Sequence, residues 1–167
     1  MGVVTKLADA FLFVFFLLTA VLAPLFDAQS CLPETLFPKS LVDLKDWYSV
    51  EYGDYMVAEK PGFYVGVIWL ELLFQWPLSL LNLYAVVTGA TWFPTTCLIY
   101  GASVLGSMAA IIGELVTSGR ASETLLMVYY PFLGLAVLAI LRGLLSRSSA
   151  RSTPTSAKGL ASRKKRA

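Results

Sequence analysis

The chain has no histidine, only two cysteines and little charge: Asp, Glu, Lys and Arg make up 14% of its 167 residues. Each scarcity removes a class of function. Without histidine or a cysteine cluster, zinc and haem lose their usual ligands, so no metal and no cofactor is expected. Cys31 and Cys97 fall near opposite ends of different apolar stretches, about a bilayer thickness apart, which is beyond disulfide reach. A net charge of +2 is too small to point to nucleic acid. There is no Asn-x-Ser/Thr sequon, so glycosylation marks neither side of a membrane. Together with an apolar fraction of 57%, the low charge lies outside the range of soluble domains. A bilayer absorbs apolar surface that a soluble core of this size cannot.

That surface is gathered into four stretches: 7–26 (LADAFLFVFFLLTAVLAPLF), 63–87 (FYVGVIWLELLFQWPLSLLNLYAVV), 93–113 (FPTTCLIYGASVLGSMAAIIG) and 125–145 (LLMVYYPFLGLAVLAILRGLL). Each matches the roughly 20 helical residues needed to cross a hydrocarbon core of about 30 Å. The fold expected is therefore an all-α membrane protein, a four-transmembrane-helix bundle formed by residues 1–145. Ala28 and Ser30 allow a signal-peptide cleavage site to be drawn before Cys31. The length of the first stretch and the single Lys before it favour a retained helix.

Residues 146–167 (SRSSARSTPTSAKGLASRKKRA) carry seven Lys and Arg and no acid. They read as a disordered basic tail, and basic flanks stay cytoplasmic. Four crossings then put both termini in the cytoplasm and the acidic segment 27–62 in the lumen or exterior. Lys164 and Lys165, fourth and third from the end, match a dilysine retrieval signal of endoplasmic-reticulum membrane proteins. A basic tail held near anionic lipid is the plainer reading of the same residues.

Within 40–56 (SLVDLKDWYSVEYGDYM), Ser40 and Asp43 form a capping-box pattern, with Leu41, Leu44 and Tyr48 at helical spacing. A short luminal amphipathic helix is expected there, between the first and second membrane helices, with Trp47 as an interfacial aromatic. Ala102, Gly106 and Ala110 make a small-residue stripe suited to packing inside the bundle or to a homodimer contact. Pro77 and Pro131 lie inside membrane helices, where each removes a backbone hydrogen bond and favours a kink.

The second stretch carries the chemistry. Glu71, Gln75 and Asn82 point within about 40° of one another at 100° per residue, so they form one polar stripe. Such a stripe faces protein or a water-filled space, because a lipid-facing charge costs about 2.5–3.5 kcal/mol. Asp27 ends the first helix on the same side, and Asp54 can fold back over the bundle mouth. Carboxylates in an apolar cavity suit a ligand with one basic amine and an apolar body, or a polycyclic lipid with one hydroxyl. A hydrogen-bonded network that only fixes helix packing explains the residues equally well.

The runs 25–38 (LFDAQSCLPETLFP), 44–56 (LKDWYSVEYGDYM), 69–85 (WLELLFQWPLSLLNLYA) and 93–103 (FPTTCLIYGAS), with Tyr129-Tyr130-Pro131, resemble the sigma-2 receptor (transmembrane protein 97) family. This family lies within the expanded emopamil-binding protein superfamily. The resemblance spans residues from about Ala8 to Leu145. It implies a non-enzymatic, sterol-binding protein of the endoplasmic-reticulum membrane, acting in sterol handling or trafficking and cholesterol homeostasis. Cationic amphiphiles are the implied ligands and sterol-transport proteins the implied partners. The family's amine-binding acid falls on Asp27 and its second pocket acid on Asp54. Its supporting residues fall on Glu71 and Gln75, a pocket hydroxyl on Ser107, an aromatic on Tyr129 and a tyrosine near the mouth on Tyr48. The segment 114–123 is shorter than the animal pattern, and the residues around Ser103 are smaller and less polar than the family's. The alternatives are a sterol isomerase-type enzyme using paired carboxylates, which the lack of histidine disfavours, and a membrane scaffold or chaperone.

Overall fold

Where water is absent, a backbone must satisfy its own hydrogen bonds, and each apolar stretch does so as a helix. The computed structural model describes the backbone of residues 2–151 and the side chains of residues 2–145. In order, α1 covers Val3–Leu25, followed by single turns of 3-10 helix at Asp27–Ser30 and Glu34–Leu36. Then come α2 (Lys39–Glu51), α3 (Tyr55–Glu59) and α4 (Gly62–Leu70). A π-helical turn, Glu71–Gln75, joins α4 to α5 (Trp76–Thr88), and α6 (Phe93–Thr117) and α7 (Glu123–Arg151) complete the bundle. No strand occurs among the described residues. Four helical segments are long and apolar enough to span a membrane: Val3–Ser30, Gly62–Thr88, Phe93–Thr117 and Glu123–Leu145. The expected four-helix bundle is thus present. Lys164, Lys165 and most of the expected tail lie outside the described residues.

The prolines act locally in ways that matter for packing. Pro77 has no N–H, and its ring crowds the carbonyl one turn back. The helix widens just before it, and the N–H of Trp76 reaches the carbonyl of Glu71. Pro24 cannot donate to the Ala20 carbonyl, which instead accepts the indole N–H of Trp76 at 3.0 Å and ties α1 to α5. Gly89 closes α5 in the left-handed region at φ 67°, where a side chain would be strained.

The bundle is tightly packed at one end and holds a cavity toward the other. Around α6 and α7, a Cβ added to Gly101 would sit 2.8 Å from the Ala136 carbonyl, and one on Gly143 would sit 2.6 Å from Leu98 Cβ. These two glycines let the helices touch. The expected stripe of Ala102, Gly106 and Ala110 does not pack inside the bundle: all three are exposed, and nothing lies within 4 Å of a Cβ at Gly106. The faces are one residue out of step, because Gly101, not Ala102, meets α7.

In the tight half, Leu12, Phe15, Phe16, Phe93, Cys97, Tyr100, Ala136 and Ala139 form one apolar cluster. Beside it Arg142 makes a bidentate ion pair with Asp9, at 2.6 and 3.1 Å, joining α7 to α1. The Arg142 side chain is only 8% exposed and lies over the Phe93 ring. Nothing in the local pattern marks this pair, whose members are 133 residues apart.

At the other end, α2 and α3 cover the bundle. A helix stands where one was expected, but its faces are sorted differently. It begins at Lys39 after Pro38, without a side-chain cap, and Asp43 pairs with Lys39 instead of completing a capping box. Leu44 and Trp47 are exposed, whereas Lys45 is buried between half-buried Leu41 and Tyr48. Lys45 reaches Glu34 at 2.8 Å and Asp46 at 3.3 Å. Burial works against its charge, yet the hydrogen bonds it donates to Glu34 and Asp46, with their charges, outweigh burial and raise its pKa. The short α3 is fastened on both flanks. Glu59 pairs with Arg120, whose guanidinium stacks on Tyr55 at 3.9 Å, and the Tyr55 hydroxyl lies within hydrogen-bond distance of Ser118, at 2.9 Å, and Glu114, at 3.3 Å. Lys60, left-handed at φ 51°, donates to the Gln29 carbonyl at 3.0 Å.

Candidate functional site

Between the tight half and the α2–α3 cover lies a cavity of about 260 Å³. Every membrane-spanning helix contributes a wall. The face of α1 that carries Leu12, Phe15, Thr19 and Ala23 inward at helical spacing presents Phe15, Thr19 and Leu22 to it, followed by Phe26 and Asp27. From α4 and the π turn come Tyr64, Ile68, Glu71 and Gln75, and from α6 Tyr100, Ser107 and Met108. Tyr129 and Phe132 of α7 face them, while Tyr48 and Val57 close the α2–α3 side.

Of the residues singled out in the sequence, Asp27, Tyr48, Glu71, Gln75, Ser107 and Tyr129 line this one cavity. Asp54 is different. It is fully buried, and its carboxylate is already occupied. One oxygen accepts the backbone N–H groups of Met56 and Val57, capping α3, at 3.1 and 3.3 Å. The other accepts the hydroxyls of Tyr129 at 2.7 Å and Tyr48 at 3.2 Å. Asp54 therefore stands behind the cavity wall and holds two of its tyrosines in place. Burial, then the charge of Asp54, push the Tyr48 phenol well up, so it remains a donor.

Asp27 and Glu71 have neither a hydrogen-bond donor nor a cation among the described residues, although they are near enough to interact with each other and with Asp54. Glu71 faces the cavity as Asp27 does. Gln75 instead makes the supporting contacts, donating to Ser103 and Ser107, both at 3.0 Å. Asn82, the third member of the polar stripe, is fully buried and accepts from Thr96 at 2.6 Å. The stripe thus divides into cavity residues and one packing residue. Past the π turn, the same face of the helix meets its neighbours directly.

The polar cavity residues not foreseen include Tyr64, Thr19 and Tyr100; of these, Thr19 and Tyr100 meet each other. Their hydroxyls lie 2.9 Å apart. The one available signal was Thr19 itself, a hydroxyl on an inward face otherwise built from Leu12, Phe15, Phe16 and Ala23. No group of three or more metal-binding side chains occurs among the described residues.

Comparison with known proteins agrees with this architecture. The family model described as EBP, EXPERA (EXPanded EBP superfamily), matches residues 40–144. Sigma intracellular receptor 2 of Xenopus tropicalis is 28% identical over 159 residues, covering 87% of this chain and 93% of the relative. The protein of that name from Macaca fascicularis is 28% identical over 123 residues, covering 64% and 70%. The human one is 30% identical over 87 residues, covering 52% and 49%. A four-helix membrane bundle with acids facing an apolar cavity, matched over most of its helical domain, belongs to the EXPERA family.

Proposed function

We propose that the chain is a non-enzymatic membrane protein of the endoplasmic reticulum that binds sterols and cationic amphiphiles and acts in sterol handling or trafficking. One observation carries the reading: Asp27 and Glu71 face an apolar cavity with no partner of their own among the described residues. A carboxylate in such a place recruits what the protein withholds, a cation or a hydrogen-bond donor. An ammonium group, or a sterol hydroxyl, supplies it, while the ligand's apolar body fills the space between Phe15, Ile68, Met108 and Phe132. Similar proteins are named receptors, which favours binding over turnover. The basic tail with Lys164 and Lys165 supports an endoplasmic-reticulum address, with both termini in the cytoplasm and α2 and α3 on the luminal side.

The test is binding of a radiolabelled tertiary-amine amphiphile to purified protein in nanodiscs. Asp27→Asn keeps the side chain's shape and removes its charge. Loss of a charge-assisted contact weakens binding roughly 10- to 100-fold. Undiminished binding by a folded Asp27→Asn protein refutes the pairing of amine and carboxylate.

A further inference from the structure

The cavity carries polar groups at two depths. Asp27 stands at the α2–α3 end. Thr19 is eight residues earlier on α1, roughly 12 Å deeper at 1.5 Å per residue. The groups that Thr19 meets directly are neutral, and Glu71, one turn before Gln75, is the carboxylate near enough to act on Tyr100. Its hydroxyl and that of Tyr100 are 2.9 Å apart, and the residues are 6% and 1% exposed. A pair of hydroxyls shares one hydrogen bond, which uses one of their two hydrogens. The second hydrogen has no acceptor among the described residues, and both side chains line the cavity.

Gln75 adds to this end. One edge of its amide meets Ser103 and Ser107, and the other edge has no partner among the described residues, although the residue is 96% buried by its 4% exposure. Gln75 and Ser107 also line the cavity. Unspent hydrogen-bonding capacity in an apolar interior is costly. A hydroxyl, ether or carbonyl group relieves it.

We propose that Thr19, Tyr100 and Gln75 form a second, neutral subsite that selects ligands carrying an uncharged hydrogen-bonding group about 12 Å from the basic nitrogen. This rests on the reading of Asp27 as the amine's partner, and it adds a rule that the acids alone do not impose. One end of the ligand is a cation, the other is polar but uncharged, and the body between them is apolar. Thr19 and Tyr100 also brace α1 against α6. A brace alone weakens all ligands alike and has no preference for what the far end of the ligand carries.

The experiment uses two tertiary amines with the same rigid aromatic body, one ending in a hydroxyl about 12 Å from the nitrogen and the other in a methyl. Both are titrated against the full chain in nanodiscs, as wild type and as the Thr19→Val, Tyr100→Phe double variant, which removes both hydroxyls by near-isosteric changes, with thermal unfolding followed in parallel. The readout is the ratio of the two affinities compared between variant and wild type, which cancels differences in folding and in membrane partitioning. Loss of one buried hydrogen bond lowers the hydroxyl-to-methyl ratio roughly 3- to 10-fold in the double variant. A ratio unchanged from wild type in the folded double variant overturns the subsite and leaves the amine site standing. If neither amine binds folded wild-type protein, the amine site falls and the subsite falls with it.

Discussion

Asp54 offers the sharpest test of the geometry, because its carboxylate carries two separable loads. Asp54→Ala removes the cap of α3, worth about 1 kcal/mol. It also strips the acceptor from the Tyr48 and Tyr129 hydroxyls, at about 1–2 kcal/mol each. The total is about 3–5 kcal/mol, a large share of the 5–15 kcal/mol typical of a folded domain. At about 2–4 °C per kcal/mol for a chain of this size, the melting temperature falls by roughly 10 °C. Asp54→Asn keeps a good capping oxygen but turns an amide donor toward two phenols, so it costs about half as much. Thermal unfolding of purified protein in detergent, followed by tryptophan fluorescence, measures both variants. In a Tyr48→Phe, Tyr129→Phe background, Asp54→Asn becomes nearly neutral, because the donors it disappoints are gone. A drop below about 2 °C for Asp54→Ala would show that the carboxylate bears neither load. Equal drops for Ala and Asn in the wild-type background would show that the cap contributes nothing.

Other consequences follow from packing and charge. Gly101→Ala and Gly143→Ala each force a methyl into a neighbouring helix and cost roughly 1–3 kcal/mol, whereas Gly106→Ala is tolerated; equal melting temperatures for all three would contradict the α6–α7 contact. Arg142→Met leaves the partly buried Asp9 without its cation and costs roughly 1.5–3 kcal/mol, and Asp9→Leu with Arg142→Met recovers much of the loss; a double variant less stable than the single one argues against the pair. On the proposed endoplasmic-reticulum address, changing Lys164 and Lys165 to Ser shifts tagged chains to later compartments, as followed by microscopy; an unchanged distribution refutes the dilysine signal.

How much of this was readable beforehand depended on whether the controlling physics is local. The Glu71–Gln75 stripe was legible because helical periodicity alone puts both residues on one face. Asn82 has the same periodicity but a different fate, since what lies opposite it is α6 and not the cavity. The stripe at Ala102, Gly106 and Ala110 has the right spacing for close packing, yet α7 meets the neighbouring face at Gly101. Spacing identifies a face, but it does not say which helix that face will touch. Asp9 with Arg142, and Thr19 with Tyr100, are long-range pairs, and a single residue in an apolar run carries no mark of a partner so far away in sequence.

By itself, then, the sequence determined what depends on neighbours within a turn or two: four apolar helices and an acid inside the second. Only the tertiary structure decided what depends on helices meeting. It enclosed Asp27 and Glu71 in one cavity without partners, placed Asp54 behind the wall as a support, and set a neutral hydroxyl pair at the far end. The physical reason is that burial and hydrogen-bond partnership in a membrane bundle are properties of the space between helices, and that space exists only once they have packed.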